Sequence, residues 1–126
     1  TEVRAAWAYY EPRTLHDSTL SFGIHALLAA RYGFARATEY FEKSLFLDLK
    51  NIMGNTANEG IHTAALGATW QAMVLGFGGL EERDGALHVS HHLPGTLTAM
   101  RYRVHWRGTR YEIRLRRGEA PSVREL

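Results

Sequence analysis

The segment "LTAMRYRVHWRGTRYEIRLRR" (residues 97–117) changes character at every residue: Met100, Tyr102, Val104 and Trp106 are apolar, and Arg101, Arg103, His105 and Arg107 alternate with them. A period of two belongs to a strand with one buried face. After a turn at Gly108-Thr109, Tyr111, Ile113 and Leu115 resume the alternation, so the segment predicts an antiparallel hairpin. The chain before residue 80 has a different period. Leu20, Ile24, Leu27 and Leu28 recur at helical spacing, and Gly33 is placed to stop that helix. Phe34, Ala37, Phe41 and Leu45, with Tyr40 and Leu47 beside them, form a second stripe, and so short a connection predicts an antiparallel helical hairpin. The chain must therefore join a few helices to a small sheet.

Between the two patterns lies "DLKNIMGNTANEGIH", rich in Asn and Gly, which predicts a loop of more than about ten residues; loops of that length in compact domains are often functional. A third helix, from His62 to about Leu75, is built on Ala64, Ala65, Gly67, Ala68 and Ala72. Small residues on several faces mean close neighbours on more than one side. "EERDGALHVS" predicts a short hairpin around Asp84-Gly85, and "GEAPSVREL" a loose tail. The expected division is residues 1–79 helical and 80–126 sheet.

Composition narrows the function classes. With 126 residues, 45% hydrophobic and 22% charged, the chain suits one ordinary globular domain or two small pieces of a larger one. It has no cysteine, which excludes disulfides and thiolate zinc sites. No stretch approaches the roughly 20 apolar residues of a membrane span, and the first residues do not read as a signal peptide, so the expected location is the cytoplasm, with no membrane partner. Residues 81–126 hold nine Arg against six Asp and Glu. Strict alternation puts the hairpin arginines on a solvated face and its aromatics on the opposite one, so no nucleic-acid partner is expected.

Two polar clusters stand at helix starts. In "RTLHDSTLS", His16, Asp17, Ser18, Thr19 and Ser21 precede or open the first helical stripe. Asp17, Ser18 or Ser21 would each serve as an N-cap, but together they exceed what capping needs. The other reading is an anion site, since free N–H groups and the positive end of the helix dipole hold phosphate readily. In "NTANEGIHTAA", Glu59 and His62 stand where the long loop meets the third helix, and Gly60 lets backbone approach a ligand. His62 is either an anion donor or acid–base group near neutral pH, or a structural histidine bonded to a carbonyl. A hairpin between the two helix starts returns them to one end of the bundle. His88, His91 and His92 suggest a metal only superficially, because no carboxylate or thiol motif completes the set; no metal site is expected.

Taken together, "YYEPRTLHDSTLS", "NEGIHTAALGATWQAMVLGFGGL" and "DGALHVSHHLPGTLTAMRYRVHWRGTRYEIRL" resemble, in this order, the C-terminal end of glycoside hydrolase family 65, the maltose, trehalose, kojibiose and nigerose phosphorylases and acid trehalases. The resemblance implies a mainly α chain with a small β part: the last helices of an (α/α)6 barrel followed by a small C-terminal antiparallel β-sheet domain. It also implies that Ser18, Thr19 and His62 bind inorganic phosphate, with His16, Asp17, Glu59 and Gly60 in support. Thr19 stands where the family more often has a second Ser, and Ile61 where it more often has Leu. The implied reaction is inverting phosphorolysis of an α-linked glucose disaccharide to β-glucose 1-phosphate and a free sugar, with phosphate as co-substrate and no cofactor. The family's general-acid Glu lies upstream of the matching stretch, so no catalytic residue is expected here. The chain alone is expected to be inactive and to self-associate through unpaired helix faces. An acid-trehalase-like hydrolase and a non-catalytic binding or assembly module are the alternatives.

Overall fold

The computed structural model describes all of residues 1–126. Five α-helices come first: α1 (Glu2–Tyr10), α2 (Ser21–Tyr32), α3 (Ala37–Leu45), α4 (Thr56–Glu59) and α5 (Thr63–Gln71), with α5 running on as a π-helical turn, Ala72–Phe77. Five strands follow: β1 (Leu80–Arg83) pairs with β2 (Ala86–Val89), and β3 (Ala99–Trp106), β4 (Thr109–Arg116) and β5 (Ser122–Glu125) form a second antiparallel sheet in that order. The mainly α architecture with a small antiparallel β part is the one expected.

The stop at Gly33 is as expected. Gly33 takes a left-handed conformation (φ 67°), and the Phe34 amide donates back to the Ala29 carbonyl at 2.9 Å, which closes the helix end. α3 then begins at Ala37, later than the Phe34 stripe suggested. The buried faces also differ from the expected stripes. α2 buries Phe22, Gly23, Ala26, Ala29 and Ala30, while Leu20 and Ile24 lie exposed. α3 buries Tyr40, Phe41 and Ser44 and exposes Leu45. α5 buries Ala65, Ala68 and Thr69 and leaves Trp70 55% exposed. Where the helices approach closely small residues face each other, so Leu20, Ile24 and Trp70 point outward while Phe22, Tyr40 and Phe41 pack beside that contact.

Gly23 shows how close. A Cβ there would lie 2.5 Å from Ala68 Cβ and 3.0 Å from Ser44 Oγ. Farther along, Gly76 meets the Leu27 backbone and Ala30. Residue numbers of α2 and of the α5–π helix rise together, so the two run parallel in direct contact, while α3 runs back alongside both. The starts of α2 and α5 and the end of α3 therefore share one end of the layer. Inside it Thr69 Oγ1 donates to the Ala65 carbonyl (2.9 Å) and accepts from Ser44 Oγ (2.6 Å), so a buried hydroxyl pair is satisfied.

The third helix extends slightly past Leu75, and its last two turns widen: the Gly78 amide reaches the Met73 carbonyl, five residues back, at 2.8 Å. Gly79, at φ 62° and with Ser90 O at 1.9 Å from where a Cβ would sit, turns the chain into β1. Asp84-Gly85 turns β1 into β2 as expected, with both residues at positive φ. The second hairpin turns at Arg107-Gly108, one residue earlier than the sequence suggested, and Trp106 pairs with Thr109. Alternation along β3 holds throughout, and Ile113 and Leu115 are fully buried on β4.

Residues 122–125 correct the expectation of a loose tail. They form β5, with Ile113 opposite Val123 and Glu112 opposite Arg124. A four-residue, wholly exposed edge strand carries little alternation for a sequence reading to detect. The two parts of the chain are tied by the Arg31–Glu81 ion pair and by Tyr102, whose hydroxyl donates to the Gly78 carbonyl at 3.3 Å. No helix is long and apolar enough to cross a membrane.

Candidate phosphate site at the helix starts

The "HDSTLS" block forms a turn that enters α2. Capping by Asp17, Ser18 or Ser21 is not what it does. Leu20 occupies the N-cap position and no side chain bonds the first-turn amides. Ser18 Oγ accepts from the Leu20 amide at 3.3 Å, a local turn bond, and its own carbonyl takes the Ser21 amide. Ser18 is exposed and Thr19 half-buried.

His16 shapes this turn. Its backbone is left-handed (φ 58°), and its Nδ1 shares a 2.8 Å hydrogen bond with Ser21 Oγ. Its ring stacks on Phe22 at 4.9 Å and lies beside His25 and Tyr40. Burial, and then the nearby charges of His25 and Lys43, push its pKa down, so it sits there neutral at physiological pH. Behind it Tyr40 donates to Glu11, which also takes Arg36 at 2.7 Å. His16 is thus a structural member of the cluster.

At the other helix start the structure adds a residue that the sequence reading passed over. Asp48 lies just beyond α3, at the first position of the long loop. Its Oδ1 accepts from His62 Nδ1 at 2.6 Å, and its Oδ2 accepts from the His62 backbone amide at 2.9 Å. Thr56 Oγ1 donates to Oδ1 at 3.3 Å. His62 and Asp48 side chains are 14% and 11% exposed. The hydrogen bond that His62 donates to Asp48 raises the His62 pKa, and the same bond lowers that of Asp48.

The other ring nitrogen of His62 has no such bond. Nε2 is buried without a hydrogen-bond partner; the nearest anion, Glu59 Oε2, stands at 3.5 Å. Glu59 is mostly exposed and is held at 2.7 Å by Asn55 Nδ2. Gly60 takes φ 78° where α4 ends and the chain turns toward His62. The long loop therefore contains one helical turn and folds back on Asp48, which sets His62 at the start of α5. The clue in the sequence was a carboxylate at the first position of a loop whose last residue is a histidine. Their separation of fourteen positions hid it.

His88, His91 and His92 do not converge. His88 faces Arg83 and His91 donates to the Glu119 carbonyl at 3.1 Å. No group of three His, Asp or Glu side chains in the chain is placed to hold a metal ion. The hairpin's charged face is partly sealed: Glu112, only 2% exposed, takes Arg103 at 3.2 Å and Arg114 at 2.6 Å, with Arg124 at 3.8 Å.

Comparison with known proteins agrees with the resemblance noted in the sequence. Residues 1–71 match the model of the glycosyl hydrolase family 65 central catalytic domain, and residues 80–121 that of the family's C-terminal domain. A kojibiose phosphorylase of Halothermothrix orenii is 40% identical over 109 residues, 86% of this chain and 14% of that protein. One from Caldanaerobacter subterraneus subsp. tengcongensis is 40% identical over 125 residues, 98% of this chain and 16% of the relative. The solved structure of a putative kojibiose phosphorylase from human microbiome superposes with a TM-score of 0.88 at 29% identity, covering 98% of this chain and 18% of that one. The chain thus spans about a sixth of the length of these relatives or less. It belongs to glycoside hydrolase family 65.

Proposed function

We propose that this chain is the phosphate-binding part of an inverting disaccharide phosphorylase. Ser18 and Thr19 supply hydroxyls at the uncapped start of α2, and His62 supplies Nε2 at the start of α5. The observation that carries the reading is the His62 ring: one nitrogen is taken by Asp48, the other has no hydrogen-bond partner, and the residue stands at the end of the layer where α2 also begins. Hydroxyls, uncapped amides and a histidine of raised pKa all favour a dianion. Glu59, mostly exposed and 3.5 Å from Nε2, is the anion that phosphate replaces.

In this reading a Glu elsewhere in the family's barrel protonates the glycosidic oxygen as its bond to C1 breaks. A phosphate oxygen forms the new bond to C1 from the opposite face, which inverts the configuration. Ser18, Thr19 and His62 orient the phosphate and offset its charge as it meets the oxocarbenium-like centre. Inorganic phosphate is the co-substrate, and the reaction uses no cofactor. The relatives' names make kojibiose the first disaccharide to try.

The test uses the full-length protein that carries this stretch, with kojibiose, trehalose, maltose and nigerose, with and without phosphate. Phosphate-dependent release of β-glucose 1-phosphate is expected. His62→Ala should weaken phosphate use about ten- to a hundredfold, the worth of a charge-assisted hydrogen bond, with little change in sugar binding. Glucose released regardless of phosphate would identify a hydrolase, and unchanged phosphate dependence in the variant would remove His62 from the site.

A further inference from the structure

We propose that Asp48 is a positioning residue for His62: by holding Nδ1 and the backbone amide, its carboxylate fixes Nε2 as the ring nitrogen that faces the anion. The proposal rests on the phosphate reading of His62 and assigns a role to a residue that lies outside the motifs.

The geometry is what distinguishes this role from capping. An aspartate that caps a helix bonds the amides of the first turn. At the start of α5 no side chain, Asp48 included, bonds the first-turn amides. Asp48 directs both of its oxygens at one residue, His62, one to the ring and one to the backbone amide. Two bonds from a planar group fix the backbone of His62 and the orientation of its ring together. Thr56 steadies the carboxylate from the loop.

The chemistry follows from what a carboxylate can do. When ionised it only accepts, so Nδ1 carries a proton in both charge states of the ring. Any second proton is then on Nε2. With the ring charged, Nε2–H donates to a phosphate oxygen. With the ring neutral, Nε2 is a lone pair that accepts only from a protonated phosphate oxygen. Asp48 and Glu59 are the charged groups acting on this ring, and both favour the charged form. A histidine with only a structural task would not bury a ring nitrogen without a hydrogen bond, as His62 buries Nε2.

The experiment takes the full-length protein that carries this stretch, labelled with ¹⁵N-histidine, and follows the His62 nitrogen shifts against pH, with inorganic phosphate titrated in parallel. In the wild type, Nδ1 should stay protonated throughout and the ring should titrate above 6.5, the ordinary value. Asp48→Asn should move that titration downward. It should weaken phosphate binding about tenfold above neutrality, the usual scale for an outer-shell partner of a functional histidine, and less at pH 5.5, where the ring is charged without help. Asp48→Glu, which keeps the charge, should recover part of the loss. A loss equal at both pH values, or an unmoved His62 titration, would overturn the proposal. If Asp48→Asn does not fold by circular dichroism, the wild type decides: a neutral ring with its proton on Nε2 overturns the assignment. A wild type that binds no phosphate defeats the phosphate reading instead, and the nitrogen shifts alone then judge Asp48.

Discussion

Two carboxylates lie largely out of solvent, one in each half of the chain, and they are partnered in opposite ways. Glu112 on the sheet is ringed by Arg103, Arg114 and Arg124, and each of its oxygens has a guanidinium. Asp48 among the helices holds a single histidine, and that histidine keeps a buried nitrogen with no hydrogen bond. The first cluster is complete in itself. Arginines that remain more than half exposed around a sealed glutamate bind a strand together and leave nothing buried for a ligand to satisfy. The second is completed only from outside, and an unsatisfied buried polar atom is costly enough that it requires an explanation. Density of charge is therefore a poor guide to a site here, and the state of satisfaction is a better one.

The same contrast runs through the packing. The sheet buries only branched and aromatic residues (Ile113, Leu115, and the half-buried Tyr102, Val104 and Trp106), whereas the helices mix large core residues such as Tyr40 and Phe77 with small ones, Gly23 and Ala68 among them, where two helices meet. Gly23 breaks or confirms that contrast most strongly. In an ordinary helix interior, Gly→Ala gains about 1 kcal/mol. At Gly23 the new Cβ would meet Ala68 at 2.5 Å, and overpacking of that kind costs about 1–3 kcal/mol. Gly23→Ala should therefore be neutral to destabilising by about 2 kcal/mol, with Gly23→Val worse. Gly67→Ala, with nothing within 4 Å of its Cβ, should stabilise by up to about 1 kcal/mol. Urea midpoints of the two variants decide it. Equal gains at both positions would mean that the helices are not held at this distance.

How much of this was legible in the sequence follows from the kind of signal each element carries. Alternation on β3 and β4 fixed their faces because the period is two and the large residues are the buried ones. On α2 the same instinct pointed outward, since Leu20 and Ile24 are large but exposed, whereas on α5 the small residues Ala65, Ala68 and Ala72 are buried against close neighbours as their pattern suggested. The His16–Thr19 turn and His62 were found through their motifs. Asp48 was missed because its partner is brought to it by tertiary folding, and β5 because a short polar edge strand has no period. Gly33 and Asp84-Gly85 were read correctly since each turn requires a positive φ.

A smaller effect than that of Gly23 is expected at Glu112. Glu112→Gln keeps the shape and removes the charge, so Arg103, Arg114 and Arg124 are left to repel one another around a neutral amide. The variant should be less stable than wild type at low salt, and the gap should narrow as salt screens the repulsion. Asp48→Asn should show little of this salt dependence, because its partner is a neighbouring ring that can lose its charge. Thermal midpoints at low and high salt would separate the two. A Glu112→Gln deficit that salt leaves untouched would mean that shape and hydrogen bonding hold the sheet's charged face, with charge incidental.

The smallest effect is also the one that separates the two carboxylates in sign. The Glu112 pKa is lowered, first by its bond to Arg114, so its contribution is present above the ordinary carboxylate value of 4.5 and is lost as pH falls through the depressed one. Arginine does not titrate in range, so nothing is lost on the alkaline side. The Asp48–His62 pair fails at both ends. The Asp48 contribution is lost as pH falls below 3.8 through its lowered pKa. The His62 contribution is complete below 6.5 and is lost as pH rises through its raised pKa. His16 works against it: its pKa is lowered, so its share is present above 6.5 and is lost as pH falls through the depressed value. The pair must therefore be isolated by difference. The stability of wild type minus that of His62→Ala should be largest between about pH 4 and 6.5 and should shrink above that window. The corresponding difference for Glu112→Gln should be flat from about pH 6 upward and fall only as pH drops toward and below 4.5. A His62→Ala difference that is constant from pH 5 to 9 would show that the Asp48 bond is indifferent to the charge on the ring, and the two carboxylates would then be alike after all.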